Sequence, residues 1–117
     1  MLKIDLNIEN NTHHKIPAQK QIKQVISEVF KNKKIDIKAI IGLKIVSKDE
    51  IQKYNQKYRH LDQPTDVLSF PIYEHPPKKT DKPILLGDII ICPDCAQDNI
   101  LFLVAHATKH LLGYHHK

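Results

Sequence analysis

The sequence has no long apolar run, only two cysteines and a single arginine, and these shortages argue against several classes of protein. None of its apolar runs approaches the ~20 residues that a membrane-spanning helix requires. The N-terminus lacks the charged-then-apolar layout of a signal peptide. Cys92 and Cys95 are too few and too close in sequence for a disulfide framework, which agrees with a reducing compartment. We therefore expect a cytoplasmic protein that does not associate with a membrane.

The composition that remains is that of an ordinary globular chain. Hydrophobic residues make up 41% and charged residues 26% of the 117 residues. This length favours a single domain over residues 1–117. The formal net charge of +5 favours an acidic partner, nucleic acid above all. Every basic residue except Arg59 is a lysine. Either a compositional bias left one arginine, or Arg59 supplies a bidentate grip on phosphate or carboxylate that lysine cannot.

Hydrophobic spacing predicts a mixture of strands and helices. The predicted strands are 2–8, 40–46, 67–70 and 85–91. The predicted helices start at Pro17, after Ser47 in a capping box with Glu50, and at Pro93, the last one running to Leu112 before Gly113. Residues 71–83 are rich in proline and lysine and should form an exposed loop. Because strands and helices do not alternate strictly, the fold class is α+β with a mixed sheet.

The segment HATKHLLGYHH, residues 106–116, holds four of the eight histidines. His106 and His110 are four residues apart on a predicted helix, so both imidazoles leave one face and can share an ion. Gly113 can take a positive φ and turn the chain back, which would let His116 supply a third ligand. Three protein nitrogens leave a fourth coordination position open, as in catalytic zinc sites. The apolar run ILFLVA predicts a buried helix, which favours a metal over solvated histidines at a helix end.

This histidine spacing is that of the metzincin proteases, but their general base is missing. Ala107 stands where such a protease has its glutamate, and no acidic residue follows Asp98. Peptide hydrolysis is therefore disfavoured, and a base or a partner for the ligands must come from elsewhere in the fold.

A competing metal site combines two of these histidines with the two cysteines. Cys92 and Cys95 followed by His106 and His110 are similar to a Cys2His2 zinc finger. A helix that reads DNA needs polar side chains, however, and this one offers ILFLVA. Two free thiols at a strand-to-helix turn are the preferred interpretation.

Two further segments complete a family pattern. NQKYRHLDQPTDVLSFP, residues 55–71, and LGDIIICP, residues 86–93, together with the histidine segment resemble the YbeY family of metal-dependent endoribonucleases, which act in ribosomal RNA maturation. The positions that match the family pattern are Asn55, Tyr58, Arg59, Asp62, Pro64, Thr65, Asp66, Val67, Leu68, Ser69, Phe70, Pro71, Gly87 and Asp88.

The resemblance implies a zincin-like fold, with a mixed four-stranded sheet packed against helices, one of which carries the HxxxH pair. It implies one Zn²⁺ per chain, held by His106, His110 and His116. It also implies that Arg59 is functional, and this agrees with its chemistry, since a guanidinium can neutralise charge on a phosphoryl group. The neighbouring carboxylates Asp62 and Asp66 are further catalytic candidates. Alternatively, one of them pairs with Arg59 and only holds the loop.

Three substitutions and a shortening separate the chain from the family pattern. Ala107, Lys109 and His115 stand where the pattern has glycine, leucine and aspartate. Lys109 places a cation beside a ligand and must point outward. His115 removes the only carboxylate near the ligands and offers a fourth imidazole. The segment between Cys95 and His106 is also shorter than the family's.

By this resemblance the favoured function is a zinc-dependent, single-strand-specific endoribonuclease that acts in maturation of the 3′ end of 16S rRNA and in ribosome quality control. The expected partners are ribosomal RNA, the small ribosomal subunit and its assembly factors. The substitutions motivate an alternative, a ribosome-associated RNA-binding protein with a structural metal and impaired catalysis. A zinc-finger-like nucleic-acid-binding module is less favoured.

Overall fold

The computed structural model describes residues 4–114, which form a four-stranded mixed sheet packed against three helices. In chain order the elements are β1 (Ile4–Asn10), α1 (Gln19–Asn32), β2 (Ala39–Ile45), α2 (Lys48–Arg59), β3 (Val67–Pro71), β4 (Ile84–Ile91), a 3₁₀ turn (Pro93–Cys95) and α3 (Ile100–Leu111). The strand order is β1-β2-β4-β3, with β3 antiparallel to β4 and the other neighbours parallel. The predicted α+β class with a mixed four-stranded sheet is confirmed. No helix within the described residues is long and apolar enough to cross a membrane.

The larger core lies between one face of the sheet and helices α1 and α3. The stripe on α1 that the helical spacing predicts is buried, with Ile22 and Ile26 fully so. From β2, Ile41 and Ile45 point into the same core, because alternate residues of a strand share a face. Each such side chain stabilises the fold by roughly 1.5–3 kcal/mol. This core fixes α3 against the sheet.

Gly87 allows α3 and the edge strand β3 to approach β4 closely. Its φ of 150° is one that side chains rarely adopt, and a Cβ there would lie 2.8 Å from Cδ2 of Leu111 and 3.0 Å from Cα of Pro71. Leu111, on the last turn of α3, is fully buried. The absence of a side chain at Gly87 therefore lets the histidine-bearing helix pack at the edge of the sheet.

Helix α2 packs on the opposite face of the sheet over a smaller core. Ile51 lies there among Val46, Leu68 and Ile90. The helix starts as predicted, with Oγ of Ser47 accepting a hydrogen bond from the backbone N–H of Glu50 at 3.2 Å.

The prediction of one helix from Pro93 to Leu112 is wrong. A 3₁₀ turn ends at Cys95, and α3 begins only at Ile100, after Asn99. Oδ1 of Asn99 accepts a hydrogen bond from the N–H of Phe102 at 2.8 Å, and this local cap starts a new helix. The expectation that ILFLVA is buried all round is also wrong, since Phe102 is 55% exposed.

The loop over residues 71–83 is largely exposed, as predicted, but it is attached to the segment that follows α1. The N–H of Asp36 donates to the carbonyl of Lys78 at 2.7 Å, and the N–H of Ile84 donates to the carbonyl of Lys38 at 2.9 Å. At the far end of α3, Gly113 has a φ of 90° and ends the helix, as its position predicts.

Candidate functional site

His106 and His110 lie together on α3. Their ring centroids are 4.7 Å apart and their planes meet at 54°. Two imidazoles bound tetrahedrally to one zinc ion have ring centroids about 5 Å apart, given a Zn–N distance of about 2.0–2.1 Å. Both residues are half-buried, and Nε2 of His110 is shielded from solvent. The spacing and the nitrogen donors therefore fit one shared zinc ion.

The predicted third ligand, His116, lies outside the described residues, as does His115. Within residues 4–114 no three or more histidine, cysteine, aspartate or glutamate side chains form a group that could hold a metal. The structure thus brings together the two predicted ligands that share a helix, and the set of three stays a prediction.

The Cys2His2 interpretation is wrong. All four of its side chains lie among the described residues, and they do not form a metal-binding group. Cys92 is fully buried in the smaller core beneath α2, whereas α3 packs on the other face of the sheet. The layer of strands therefore separates this thiol from the helix that carries the imidazoles.

Cys92 and Cys95 are free thiols at the turn between β4 and α3, as expected. Their sulfur atoms are 3.4 Å apart. Burial, and secondarily the hydrogen bond with Cys95, raises the pKa of the Cys92 thiol to about 11. Because the thiolate is the metal ligand and nucleophile, a thiol held protonated at neutral pH is poor at both.

The two departures from the family pattern that fall on described residues are accommodated by the fold. Ala107 is buried in the larger core, where its methyl group packs and a glycine would be less favourable in a helix. Lys109 is exposed and points away from the core, as predicted.

Arg59 ends α2 and reaches the edge strand β3. Its Nη2 donates to the carbonyl of Ser69 at 2.8 Å, and its guanidinium lies 5.5 Å from the ring centroid of Phe70. Since β3 is an edge strand, that carbonyl is available to a side chain rather than to a further strand. A guanidinium has several N–H donors, so this single bond leaves others for a phosphate.

Asp62 and Asp66 lie in the loop between α2 and β3, and neither pairs with Arg59 in the described part of the chain. Asp62 accepts a hydrogen bond from Nε2 of Gln52 at 3.1 Å, and Asp66 accepts one from the hydroxyl of Thr65 at 3.4 Å. The alternative in which an ion pair with Arg59 holds this loop is therefore wrong.

Asn55 does hold the loop, and sequence reasoning did not assign it that role. It is 3% exposed, and its Nδ2 donates to the carbonyl of Gln63 at 2.9 Å. The backbone N–H of Leu61 donates in turn to the carbonyl of Asn55 at 3.3 Å. A buried amide with satisfied hydrogen bonds fixes the path of the chain after Arg59.

Sequence reasoning also missed a groove of about 600 Å³ on the face of the sheet that carries α2. One wall is aromatic: the rings of Tyr54 and Tyr58 are stacked with centroids 6.3 Å apart, and Tyr58 meets Phe70 edge-on at 5.3 Å. Tyr58 is 51% exposed, so the face of α2 that carries Ile51, Tyr54 and Tyr58 is only partly buried. The groove ends beside Arg59, whose guanidinium lies over Phe70.

The floor of this groove is polar. Lys44 donates to the hydroxyl of Tyr54 at 2.8 Å and lies 3.2 Å from Glu50 and 3.6 Å from Glu9. The hydrogen bond to Tyr54, followed by that to Glu50, raises the pKa of Lys44 above its ordinary value. On β4, the carboxylate of Asp88 occupies the space above Gly42 where a side chain would otherwise be. The groove is therefore richer in carboxylates than in free cations.

A signal for the groove exists in the sequence. The strand IIGLKIV has Gly42 and Lys44 two positions apart, and LLGDIII has Asp88. Because alternate residues of a strand share a face, polar residues at alternate positions of neighbouring strands indicate a sheet face that is not covered.

Comparison with known proteins defines the class to which this site belongs. The family model described as Endoribonuclease YbeY matches residues 5–117. Proteins named Endoribonuclease YbeY from Staphylococcus saprophyticus and Staphylococcus carnosus are each 38% identical over 109 residues, covering 82% of this chain and 71% of theirs. The relative from Staphylococcus aureus is 38% identical over 112 residues, covering 83% of this chain and 72% of its own. The class is that of the endoribonucleases, hydrolases that act on RNA.

The chain belongs to the YbeY family, as its motifs predict, and the expectation of an enzyme of this class is confirmed. Among solved structures it is similar to TM1509 from Thermotoga maritima, determined in solution. The two are 30% identical with a TM-score of 0.47, and the match covers 92% of this chain and 64% of that one.

Proposed function

We propose that the chain is a zinc-dependent endoribonuclease that cleaves single-stranded ribosomal RNA in the cytoplasm. The observation that carries the proposal is the 4.7 Å approach of the His106 and His110 rings on α3. That helix packs against β3, the strand whose outer edge holds Arg59. A zincin-like arrangement, with residues 1–117 as one hydrolase domain, is consistent with this placement of helix and edge strand.

In this proposal His106, His110 and His116 hold the metal. A bound zinc ion would act as a Lewis acid on a phosphoryl oxygen or on water. Imidazole donors suit zinc, and three of them would leave one coordination position for a reactant.

Arg59 stabilises the negative charge that develops on the phosphodiester during cleavage. Its bond to Ser69 fixes the guanidinium on the strand edge before the substrate arrives, so no reorganisation is needed when the charge develops. Asp62 and Asp66 remain candidates for orienting the substrate or moving a proton, since neither carboxylate forms an ion pair with a described residue.

Specificity for single strands would come from the aromatic wall of the groove. Unpaired bases can stack on exposed rings, whereas the bases of a duplex are already stacked on each other. Tyr58 offers such a ring beside Arg59. Asp88, Glu9 and Glu50 repel phosphate, so the groove suits a base rather than the RNA backbone.

The in vivo substrate we propose is precursor ribosomal RNA, including the 3′ end of 16S rRNA. The small ribosomal subunit and its assembly factors would present it, and ribosome quality control would use the same cleavage. The family to which the chain belongs supports RNA as the partner.

The test is cleavage of ribosomal RNA by the purified protein before and after chelation, with Arg59→Lys and His110→Ala alongside. We expect chelation and His110→Ala to abolish cleavage. Arg59→Lys should lower kcat by about 10²–10³, because a lysine cannot reproduce the planar fork at the transition state. Cleavage that survives both chelation and His110→Ala would contradict the proposal.

A ribosome-associated RNA-binding protein with impaired catalysis is the second candidate. The lack of any acidic residue on α3 favours it, because no carboxylate of that helix can act as a base. A zinc ion with four protein ligands, together with RNA binding but no turnover, would favour this candidate over the enzyme.

A further inference from the structure

We infer that a lysine-rich surface at the end of α1 and on the loop 71–83 binds the phosphate backbone of single-stranded RNA and leads it to the histidine-bearing end of α3. This inference rests on the proposed function, because it assigns the docking surface for the same substrate. We call this surface the lysine face, and its members are Lys31, Lys33, Lys34, Lys38, Lys78, Lys79 and Lys82.

The fold brings together two segments that are distant in sequence. The N–H of Asp36 donates to the carbonyl of Lys78 at 2.7 Å, and Asp36 forms a parallel bridge with Lys79. A second hydrogen bond joins the same segments, in which the N–H of Ile84 donates to the carbonyl of Lys38 at 2.9 Å. The backbones of residues 36–38 and 78–84 therefore run side by side, and the lysines at the end of α1 are only a few residues from this junction in the sequence.

The charge of the lysine face is not neutralised by the described part of the protein. None of its lysines forms an ion pair with a described residue, and all except the half-buried Lys33 are exposed. The carboxylates on the same two segments are Asp36, Glu74 and Asp81, fewer than the seven lysines. Lys44, by contrast, lies between two glutamates. A cluster of unpaired ammonium groups is the electrostatic footprint of a surface that binds phosphates.

The lysine face adjoins the end of α3 that carries His110. Nζ of Lys33 lies 4.4 Å from the ring centroid of Tyr114. Tyr114 follows Gly113, whose N–H donates to the carbonyl of His110 at 3.0 Å. The loop meets the same turn, since a Cβ at Gly113 would lie 2.8 Å from the carbonyl oxygen of Glu74. A strand of RNA held along the lysine face would therefore run past the proposed metal site.

The chemistry of this surface favours a backbone over a base. Lysine contributes a point charge on a flexible stem, which suits phosphate without sequence preference. The aromatic wall beside Arg59, by contrast, offers stacked and edge-on rings that suit a base. The lysine face would thus supply affinity, and the aromatic wall would supply the preference for unpaired bases.

The test compares Lys78→Gln/Lys79→Gln with the charge-matched control Lys48→Gln/Lys53→Gln, whose lysines are exposed on α2. Binding of a fluorescent, uncleavable 2′-O-methyl single-stranded oligonucleotide is measured between 0.05 and 0.3 M salt. Each lost phosphate contact lowers the slope of log K against log salt by about 0.7 for single strands. We expect the slope to fall by about 1.4 and affinity at 0.15 M salt to fall about tenfold, with the control within about twofold of wild type.

Lys31→Gln/Lys34→Gln should reproduce the effect of the first variant from the other segment. Equal losses in the lysine-face variants and the control, or no loss in the former, would overturn the inference. Competition by polyglutamate as effective as by RNA would also overturn it, in favour of an acidic protein. Because the probe cannot be cleaved, binding that depends on the lysine face without any nuclease activity would contradict the proposed function alone. Metal-dependent cleavage with binding indifferent to these lysines would contradict this inference alone.

Discussion

At the scale of single residues, two glycines of the sheet illustrate different reasons for lacking a side chain. Gly87 has a strained φ and is surrounded by β3 and by Leu111, neither of which can move without disturbing the core. Gly42 has only the end of the exposed Asp88 side chain above it, and that carboxylate can rotate away.

We therefore expect Gly87→Ala to destabilise the protein by about 2–3 kcal/mol. Gly42→Ala should change the free energy of unfolding by less than about 1 kcal/mol. Urea denaturation measures both. Equal effects of the two substitutions would show that the close packing of α3 at Gly87 is not required.

The buried thiol of Cys92 gives a pH dependence with a defined sign. Its pKa is raised from 9.0 to about 11 in the folded protein, so the native state holds this proton more tightly than the unfolded chain. The stability that it contributes is complete below about pH 9 and is lost as the pH rises towards 11. We expect the free energy of unfolding to fall less steeply over this window in Cys92→Ala than in wild type. If the free energy of unfolding falls equally steeply with pH in both proteins, the raised pKa of Cys92 is not the cause of the pH dependence.

At the scale of the elements, α2 and β3 present Arg59 and an aromatic ring side by side. Tyr58→Ala should weaken the binding of single-stranded RNA by about 1–3 kcal/mol, because a stacked base loses its ring. Binding of duplex RNA should change little. The matched control is Leu61→Ala, because Leu61 is an apolar residue close to Tyr58 in the sequence and is similarly exposed, at 50%. Fluorescence anisotropy measures the affinity of wild type and of the two variants for single-stranded RNA and for duplex RNA. An equal loss of single-strand affinity in both variants would exclude stacking on Tyr58.

Elements whose signals are local could be predicted from the sequence. The apolar stripe of α1, the Ser47 cap of α2 and the left-handed end of α3 at Gly113 depend on neighbours within a few residues. The Asn99 cap is just as local, but Pro93 at the start of the 3₁₀ turn is a competing start signal for a helix. The position of a boundary depends on which of two competing caps the tertiary packing of the helix favours.

The candidate site also has some features that could be predicted from nearby residues in the sequence and others that depend on tertiary packing. The approach of His106 and His110 follows from a separation of four residues on a helix, and it was predicted. The contact of Arg59 with Ser69 depends on how α2 packs against β3, whereas the expected ion pairs were with carboxylates close in sequence. The groove depends on which sheet face the helices leave uncovered, and periodicity within one strand does not reveal that.

At the scale of the whole molecule, the net charge of +5 is unevenly distributed. The lysine face carries unpaired cations, while the groove on the α2 side of the sheet holds carboxylates and a lysine between two glutamates. The phosphate backbone is therefore attracted to the lysine face, which orients RNA before any specific contact forms, and the groove is left to its unpaired bases. The pair of histidines on α3, His106 and His110, lies at the border of the attractive surface.

The metal content of the purified protein tests the central claim most directly, and it is measured for wild type, His110→Ala, His116→Ala and Cys92→Ser/Cys95→Ser. We expect one zinc ion per chain in wild type and in the cysteine variant, and loss of zinc in each histidine variant. Zinc retained without His110 and His116, or lost only with the cysteines, would contradict a metal site at the end of α3.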